Sequence, residues 1–197
     1  MSRITKLPAS EWSPELRQLF RAEEATSLEQ GTMRIFAHRS AIAHGVISLG
    51  AGVAADWTLG HRLKELLRLR VAFHNQCRSC LAIRYSDAVD AGVSEELVCS
   101  LENPPEAQDL SEAEKIALQY ADLFATNHLR IDDALFDDLR QHYSEPQLVE
   151  LGAWVAFCVG FGRLGAVWDM VEELPEAYQE RDGTPITPWS GSPIVVR

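Results

Sequence analysis

The sequence predicts an all-α fold of roughly eight helices. Helix-start signals recur along the chain: a Ser-Pro-Glu triplet begins at Ser13, and Ser111 and Ser144 each stand three residues before a Glu or a Gln, as in a capping box. Between these signals, apolar residues recur every three or four positions, which is typical of helices with one buried face. The sequence has no alternating strand pattern and no glycine-rich phosphate loop. These observations favour a helical bundle.

The composition fits one globular domain, because 46% of the 197 residues are hydrophobic. The formal net charge of -11 argues against nucleic acid and anionic membrane surfaces as partners. The N-terminal stretch lacks the apolar core of a signal peptide, and the longest nearly uncharged apolar run, 151–162, is shorter than a bilayer span. We therefore expect a soluble, cytoplasmic protein with no nucleic-acid and no membrane partner.

The first half of the chain predicts three helical regions. The first follows Ser13 and ends near residue 25, and the second is a long apolar segment over 32–55. The third spans 61–73 after a cap at Thr58. Glu65 lies beside the leucine stripe of this third helix, so we expect it to be partly buried.

The second half predicts a series of shorter helices and one long one. The predicted ranges are 78–91, ended by Gly92 in a left-handed cap, then 95–101, 111–126 and 134–142, and a last helix that opens at Ser144 and runs through 148–167. From residue 175 onward the chain has four prolines and little periodicity, which indicates an extended arm.

The most informative motif is the C-x-x-C pair of Cys77 and Cys80, which the pattern places at a helix N-terminus. Two thiols at this spacing can close a reversible disulfide, supply half of a metal site, or pack inertly in a core. In a reducing compartment such a pair is more often catalytic or metal-binding than a fixed crosslink.

The metal interpretation is the weaker one, because structural zinc needs four ligands. The other cysteines, Cys99 and Cys158, are isolated in apolar helices and are interpreted as core residues. His61 and His74 are the candidates to complete such a site. We therefore predict no metal and no cofactor.

Redox use of the pair requires a stabilised thiolate and a source of protons. A helix N-terminus and a nearby cation both favour a thiolate, and Arg84 lies one turn after Cys80 in the predicted helix. Cleavage of a peroxide O–O bond releases an alkoxide or hydroxide, which needs an acid. Glu65, His74 and Tyr85 are the candidates for this proton relay.

The segment beginning at Lys64 resembles the carboxymuconolactone decarboxylase/AhpD-like superfamily. Glu65 stands twelve residues before Cys77, the C-x-x-C follows, and the next helix begins with GVSEEL. The later segments ALQYADLFATN and DDALFDDLRQHYSEPQLVELGAWVAFCVGFGRL are similar to the family as well. The resemblance covers about residues 60–168.

The resemblance implies a single AhpD-like all-helical domain over 1–175, followed by the arm at 176–197. It implies cofactor-free chemistry in which Cys80 attacks a peroxide, Cys77 resolves the product as a disulfide, and Glu65 belongs to a proton relay. The expected partners are a small peroxide or disulfide substrate, an external dithiol reductant, and further copies of the chain in a homo-oligomer (dimer, trimer or hexamer).

The chain departs from the family pattern at two positions. The family motif has a histidine just before the second cysteine and another four residues after it, where this chain has Ser79 and Arg84. Another group must then move the proton. We predict an alkylhydroperoxidase-like peroxidase, with a disulfide oxidoreductase or a non-enzymatic redox-sensing oligomer as alternatives. The decarboxylase branch is disfavoured because its chemistry does not use a thiol pair.

Overall fold

The computed structural model describes residues 1–54, 57–179, 185–188 and 193–196. It confirms the all-α class, since the sheet formed by the described residues is a single two-stranded ribbon. The α-helices and strands are, in chain order, α1 (Pro14–Phe20), α2 (Ser27–Gln30), α3 (Met33–Phe36), α4 (Ser40–Ala54), α5 (His61–Asn75), α6 (Arg78–Ala82), β1 (Ile83–Tyr85), α7 (Ser86–Asp90), α8 (Glu95–Cys99), α9 (Glu112–Thr126), α10 (Asp133–Arg140), α11 (Glu145–Trp168), α12 (Glu176–Gln179) and β2 (Ile194–Val196).

Three predicted helix starts are confirmed by their capping contacts. The hydroxyl of Ser13 accepts a hydrogen bond from the Leu16 backbone N–H, and both Ser111 and Ser144 form capping boxes. The predicted cap at Thr58 is wrong, because α5 begins after Gly60. Thr58 instead donates from its backbone N–H and its hydroxyl to Glu150.

Helices α5, α9 and α11 form the centre of the core. Fully buried leucines and valines fill the space between them, among them Leu66, Leu118 and Val155. The indole N–H of Trp154 donates to the Lys64 carbonyl at 2.9 Å and fixes α11 against α5. This packing positions α5, which carries Glu65, against the helix that borders the cysteine pair.

Helix α11 is long and apolar enough to cross a membrane by length and composition alone, the single such case among the described helices. The core helix of a soluble protein passes the same test. Here Leu151, Trp154 and Val155 are buried against the rest of the domain.

Two predicted helices are interrupted in the structure. The segment over 32–55 divides into α3 and α4, with a 3-10 turn between them. The predicted helix over 78–91 ends at Ala82 and gives way to β1. The β-branched Ile83 and aromatic Tyr85 suit a strand, and β2 pairs with them in parallel. Arg84 is therefore not on a helix face with Cys80.

The described parts of the C-terminal arm fold back onto the same chain. Strand β2 pairs with β1, with Ile83 opposite Ile194 and Tyr85 opposite Val196. The side-chain amide of Gln76 donates to the Ile186 carbonyl at 3.1 Å and accepts from the Ile186 N–H at 2.9 Å. The described parts of the arm thus lie beside the C-x-x-C segment.

Candidate redox site

Cys77 and Cys80 form a disulfide at the start of α6, with their Cα atoms 5.2 Å apart. Cys77 is the N-cap residue of α6, as the sequence predicted, and it is completely buried. Cys80 lies within the helix and is partly exposed. Of the two cysteines, Cys80 is therefore the more exposed residue.

Two glycines allow α11 to approach the cysteine pair closely. A Cβ atom on Gly165 would lie 3.3 Å from the Cys77 sulfur, and one on Gly162 would lie 2.6 Å from Nδ2 of Asn75. Asn75 uses that amide to donate to the Cys158 carbonyl at 3.0 Å. The backbone of α11 thus forms the wall that buries Cys77.

Glu65 is only 3% exposed, which agrees with its predicted burial. Both of its carboxylate oxygens accept hydrogen bonds from Arg68, from Nε at 2.6 Å and from Nη2 at 2.7 Å. Arg68 is 8% exposed. The two residues form a buried, bidentate ion pair one helical turn apart.

Arg68 is a site residue that the sequence analysis missed. Its Nη1 donates to the Cys80 carbonyl at 2.6 Å and its Nη2 to the Ile83 carbonyl at 2.7 Å. The sequence contained one signal for it: an arginine flanked by Leu67 and Leu69 and three positions after an acid expected to be buried. Such an arginine is rarely buried without a specific partner.

Tyr85 packs against the Arg68 guanidinium. Its ring centroid lies 5.0 Å from Cζ of Arg68, in cation–π contact. The pKa of the Tyr85 phenol is raised, chiefly because its surroundings withdraw it from water, although 39% of the residue is exposed. The phenol is therefore protonated at neutral pH and has a proton to donate.

His74 points to a different partner. Its Nε2 lies 2.7 Å from Oδ1 of Asp122, which also binds Nε of Arg70 at 2.6 Å. Burial alone would raise the pKa of Asp122, but the hydrogen bonds from His74 and Arg70 outweigh burial and lower it. The structure places His74 in this ion-pair cluster between α5 and α9.

Arg84 is held by contacts that the sequence analysis did not predict. It is 1% exposed and binds both carboxylate oxygens of Glu95, at 2.9 and 3.1 Å. Its remaining described hydrogen bonds go to backbone carbonyls, including those of Leu81 at 2.8 Å and Pro188 at 2.7 Å. The predicted position of Arg84, one helical turn after Cys80 on the same helix, is wrong, because α6 ends at Ala82.

Ser79 and the two remaining cysteines complete the description. The Ser79 hydroxyl lies 3.6 Å from the Cys77 sulfur. Cys158 is buried as predicted, and burial raises the pKa of its thiol to about 12. Cys99 is exposed, so its interpretation as a core residue is wrong. The described residues contain no group of three or more His, Cys, Asp or Glu side chains arranged to hold a metal ion.

Sequence comparisons place part of the chain in a known family. Residues 40–123 match the model of the carboxymuconolactone decarboxylase family. An uncharacterized protein of Mycobacterium tuberculosis is 38% identical over 89 residues, which are 44% of this chain and 31% of that protein. The uncharacterized protein YdfG of Bacillus subtilis is 30% identical over 95 residues, 48% of this chain and 65% of YdfG. The match thus covers less than two thirds of each relative.

Solved structures show the same fold over nearly the whole chain. An alkylhydroperoxidase AhpD core protein from Ralstonia eutropha, described as peroxidase-related, has a TM-score of 0.71 and 16% identity, covering 90% of this chain and 94% of its own. A cysteine-to-alanine variant of the debrominase Bmp8, bound to 2,3,4-tribromopyrrole, has a TM-score of 0.71 and 21% identity, covering 91% and 95%. Residues 40–123 of the chain are thus similar to the carboxymuconolactone decarboxylase family, and the chain as a whole has the AhpD-like fold.

Proposed function

We propose that the protein is a thiol-dependent, alkylhydroperoxidase-like peroxidase that works through a Cys77/Cys80 dithiol–disulfide cycle. Proteins of this family are generally enzymes, and an AhpD-like fold with a close cysteine pair points to a peroxidase-related role. The observation that carries the proposal is the disulfide itself: the Cys80 carbonyl accepts from the Arg68 guanidinium, which also binds the buried Glu65 carboxylate and contacts the Tyr85 ring.

The first step is attack of the Cys80 thiolate on one peroxide oxygen. An S–O bond forms and the O–O bond breaks, which gives a Cys80 sulfenic acid and an alkoxide or hydroxide. We assign the attack to Cys80 because it is partly exposed, whereas Cys77 is completely buried. This assignment agrees with the role that the family resemblance implies for the second cysteine.

The leaving oxygen needs a proton, and Tyr85 is the best placed of the sequence-predicted donors. It is partly exposed, and it lies against Arg68, which would stabilise the phenolate formed on donation. Both oxygens of Glu65 accept hydrogen bonds from Arg68, and His74 is bound to Asp122. Solvent water then returns the proton to Tyr85.

The second step closes the disulfide. The Cys77 thiolate attacks the Cys80 sulfur, the S–S bond forms, and the sulfenic hydroxyl leaves as water after protonation. The Ser79 hydroxyl, 3.6 Å from the Cys77 sulfur, is available to donate to that thiolate. An external dithiol then reduces the disulfide and becomes oxidised. One peroxide and one dithiol thus yield one alcohol, one water and one disulfide.

Loss of the family histidines favours a second candidate, a disulfide oxidoreductase. Ser79 and Arg84 stand at those positions, and Arg84 is bound to Glu95. In this alternative the Cys80 thiolate attacks a substrate disulfide, and a thiolate leaving group requires no strong acid. Reduction of a disulfide substrate without any consumption of peroxide would favour it.

We also propose that the protein works in the cytoplasm as a homo-oligomer. Helices α4 and α11 leave large apolar side chains in contact with water, including Ile42, Leu49, Val149 and Val167. Exposed apolar side chains on neighbouring helices are typical of subunit contacts. Light scattering of the purified protein tests this proposal, and a mass of 22.0 kDa, that of one chain, would contradict it.

Peroxide consumption with a dithiol reductant tests the peroxidase proposal. We expect turnover of hydrogen peroxide or an alkyl hydroperoxide by the wild type and by the control Cys99→Ser, whose cysteine is exposed and outside the pair. Cys80→Ser should show no turnover. The proposal fails if the wild type forms and loses its disulfide reversibly but consumes no peroxide.

A further inference from the structure

The short helix that carries Cys80 is held at its end by one side chain from α5. We propose that Arg68 is a positioning residue for the redox pair: it fixes the Cys80 backbone and places a positive charge beside the Cys80 thiolate. Glu65 acts here as the counter-ion that holds Arg68 in place. The proposal rests on the proposed function only in taking Cys80 as the reactive thiol.

The backbone argument starts from the length of α6, which has five residues. The last carbonyls of any helix lack partners within it. Nη1 of Arg68 donates to the Cys80 carbonyl at 2.6 Å, and Nη2 donates to the Ile83 carbonyl at 2.7 Å. A single planar group therefore binds the helix and the strand that follows it, and so sets the direction in which the Cys80 side chain leaves the backbone.

Glu65 explains why an arginine can occupy this position. A buried guanidinium is costly unless a well-oriented carboxylate accepts its hydrogen bonds. The Glu65 carboxylate occupies the edge formed by Nε and Nη2, at 2.6 and 2.7 Å, and leaves Nη1 for Cys80. The two residues are 3% and 8% exposed. With both oxygens occupied, Glu65 acts as a fixed charge.

The electrostatic argument follows from the same geometry. Standard bond lengths keep the Cys80 sulfur within about 7 Å of Nη1, because Nη1 is hydrogen-bonded to the carbonyl of the same residue. The titratable groups that face Arg68 are Glu65 on α5, Tyr85 on β1 and Cys158 on α11. Of these, Glu65 is the group that forms the ion pair with Arg68, so it is the group that opposes the effect of Arg68 on the thiolate.

The two possible roles of Glu65 predict opposite results for Glu65→Gln. If Glu65 is the counter-ion, its neutralisation strengthens the positive field at Cys80 and the thiolate forms at lower pH. If Glu65 is a proton donor or acceptor, neutralisation slows turnover and leaves the thiolate no more favoured than before. Arg68→Lys keeps the positive charge but loses the guanidinium group that binds the carbonyls of Cys80 and Ile83, so the thiolate should form at higher pH.

The experiment measures the rate of Cys80 alkylation by iodoacetamide against pH, in the reduced full-length protein carrying Cys77→Ser and Cys99→Ser. We expect the pH midpoint to fall by about half a unit or more in Glu65→Gln and to rise by a similar amount in Arg68→Lys. Arg62→Lys is the control, because Arg62 also lies on α5 and pairs with a glutamate, Glu114. Its midpoint should equal that of the parent.

A midpoint that is unchanged or higher in Glu65→Gln would overturn the proposal, as would an Arg68→Lys midpoint equal to that of Arg62→Lys. Circular dichroism establishes that each variant is folded, and Arg68→Lys carries the test if Glu65→Gln is not. The readout needs no peroxide, so failure of the peroxidase proposal would leave this result unaffected. Conversely, the wild type can consume peroxide whether or not the alkylation midpoint shifts in Glu65→Gln or Arg68→Lys.

Discussion

Two buried arginines, Arg68 and Arg84, bind backbone carbonyls from Cys80 to Ile83, at the end of the cysteine motif, and they differ mainly in the carboxylate that each is paired with. They meet at the Ile83 carbonyl, which accepts from Arg68 at 2.7 Å and from Arg84 at 3.0 Å. Arg68 pairs with a carboxylate that is 3% exposed, Glu65. Arg84 pairs with Glu95, whose side chain is 43% exposed.

The two arginine–carboxylate pairs serve different parts of the structure. Arg68 faces the core and binds the carbonyl of Cys80, so it belongs to the candidate redox site. Arg84 faces the C-terminal arm and binds the carbonyl of Pro188. The burial of the carboxylate partner decides the cost of removing each arginine, because a buried charge left without a partner is far more costly than a charge that water can solvate.

The largest effect is expected for Arg68→Met. This change leaves Glu65 as an unpaired buried carboxylate, so the free energy of unfolding should fall by about 3–5 kcal/mol. Urea unfolding of the oxidised protein measures it. Adding Glu65→Leu to Arg68→Met should recover much of the loss, and a single variant as stable as the wild type would show that the pair is not buried as described.

A smaller loss, about 1–3 kcal/mol, is expected for Arg84→Met, because Glu95 remains accessible to water while two or more carbonyls lose a donor. The same variant should loosen the arm, and limited proteolysis near the C-terminus should become faster. The alkylation midpoint of Cys80 should stay at the wild-type value. A shift as large as that of Arg68→Lys would remove the distinction between the two arginines.

Helix α11 approaches the same site closely through its glycines. Gly162→Ala places a Cβ atom 2.6 Å from Nδ2 of Asn75 and should cost about 1–3 kcal/mol of unfolding free energy. The matched control is Gly160→Ala on the same helix, where a Cβ atom meets nothing within 4 Å. The control should be neutral or slightly stabilising, since alanine favours a helix over glycine. Equal costs for the two changes would contradict the close approach of α11.

The ion pair of Arg70 and Asp122 predicts how the free energy of unfolding depends on pH. The pKa of Asp122 lies below its ordinary value of 3.8, so this carboxyl binds fewer protons in the folded protein than in the unfolded one as the pH falls through that range. Its contribution to stability is therefore present at neutral pH and is lost below about pH 4. Asp122→Asn should flatten the acid limb of a plot of unfolding free energy against pH. An unaltered limb would contradict the assignment.

The smallest effect concerns the two cysteines outside the pair. The pKa of Cys158 is raised to about 12 by burial, whereas Cys99 is exposed. At pH 8, iodoacetamide should modify Cys99 in the oxidised native protein and leave Cys158 unmodified. Mass spectrometry of the digested protein measures both, and rapid modification of Cys158 would show that the Arg68 side of the site opens to solvent.

The features that the sequence predicted depend on residues close together in the chain. The starts of α1, α9 and α11 follow from side chains that cap their own helices, and the burial of Glu65 follows from its place beside a leucine stripe. Strand β1 and the role of Arg68 depend on more distant contacts. Arg68 binds Cys80 across 12 positions, and Arg84 binds Pro188 across 104. Helical periodicity carries no information about such pairs.

Trapping of the first intermediate tests the central claim most directly. Cys77→Ser protein, reduced and treated with one equivalent of peroxide in the presence of dimedone, should carry a single adduct on Cys80, found by mass spectrometry. The wild type should instead form the Cys77–Cys80 disulfide, and Cys80→Ser should carry no adduct at Cys77. An adduct on Cys77 in the Cys80→Ser protein would contradict the proposed peroxidase mechanism. So would an unmodified Cys80 in the Cys77→Ser protein.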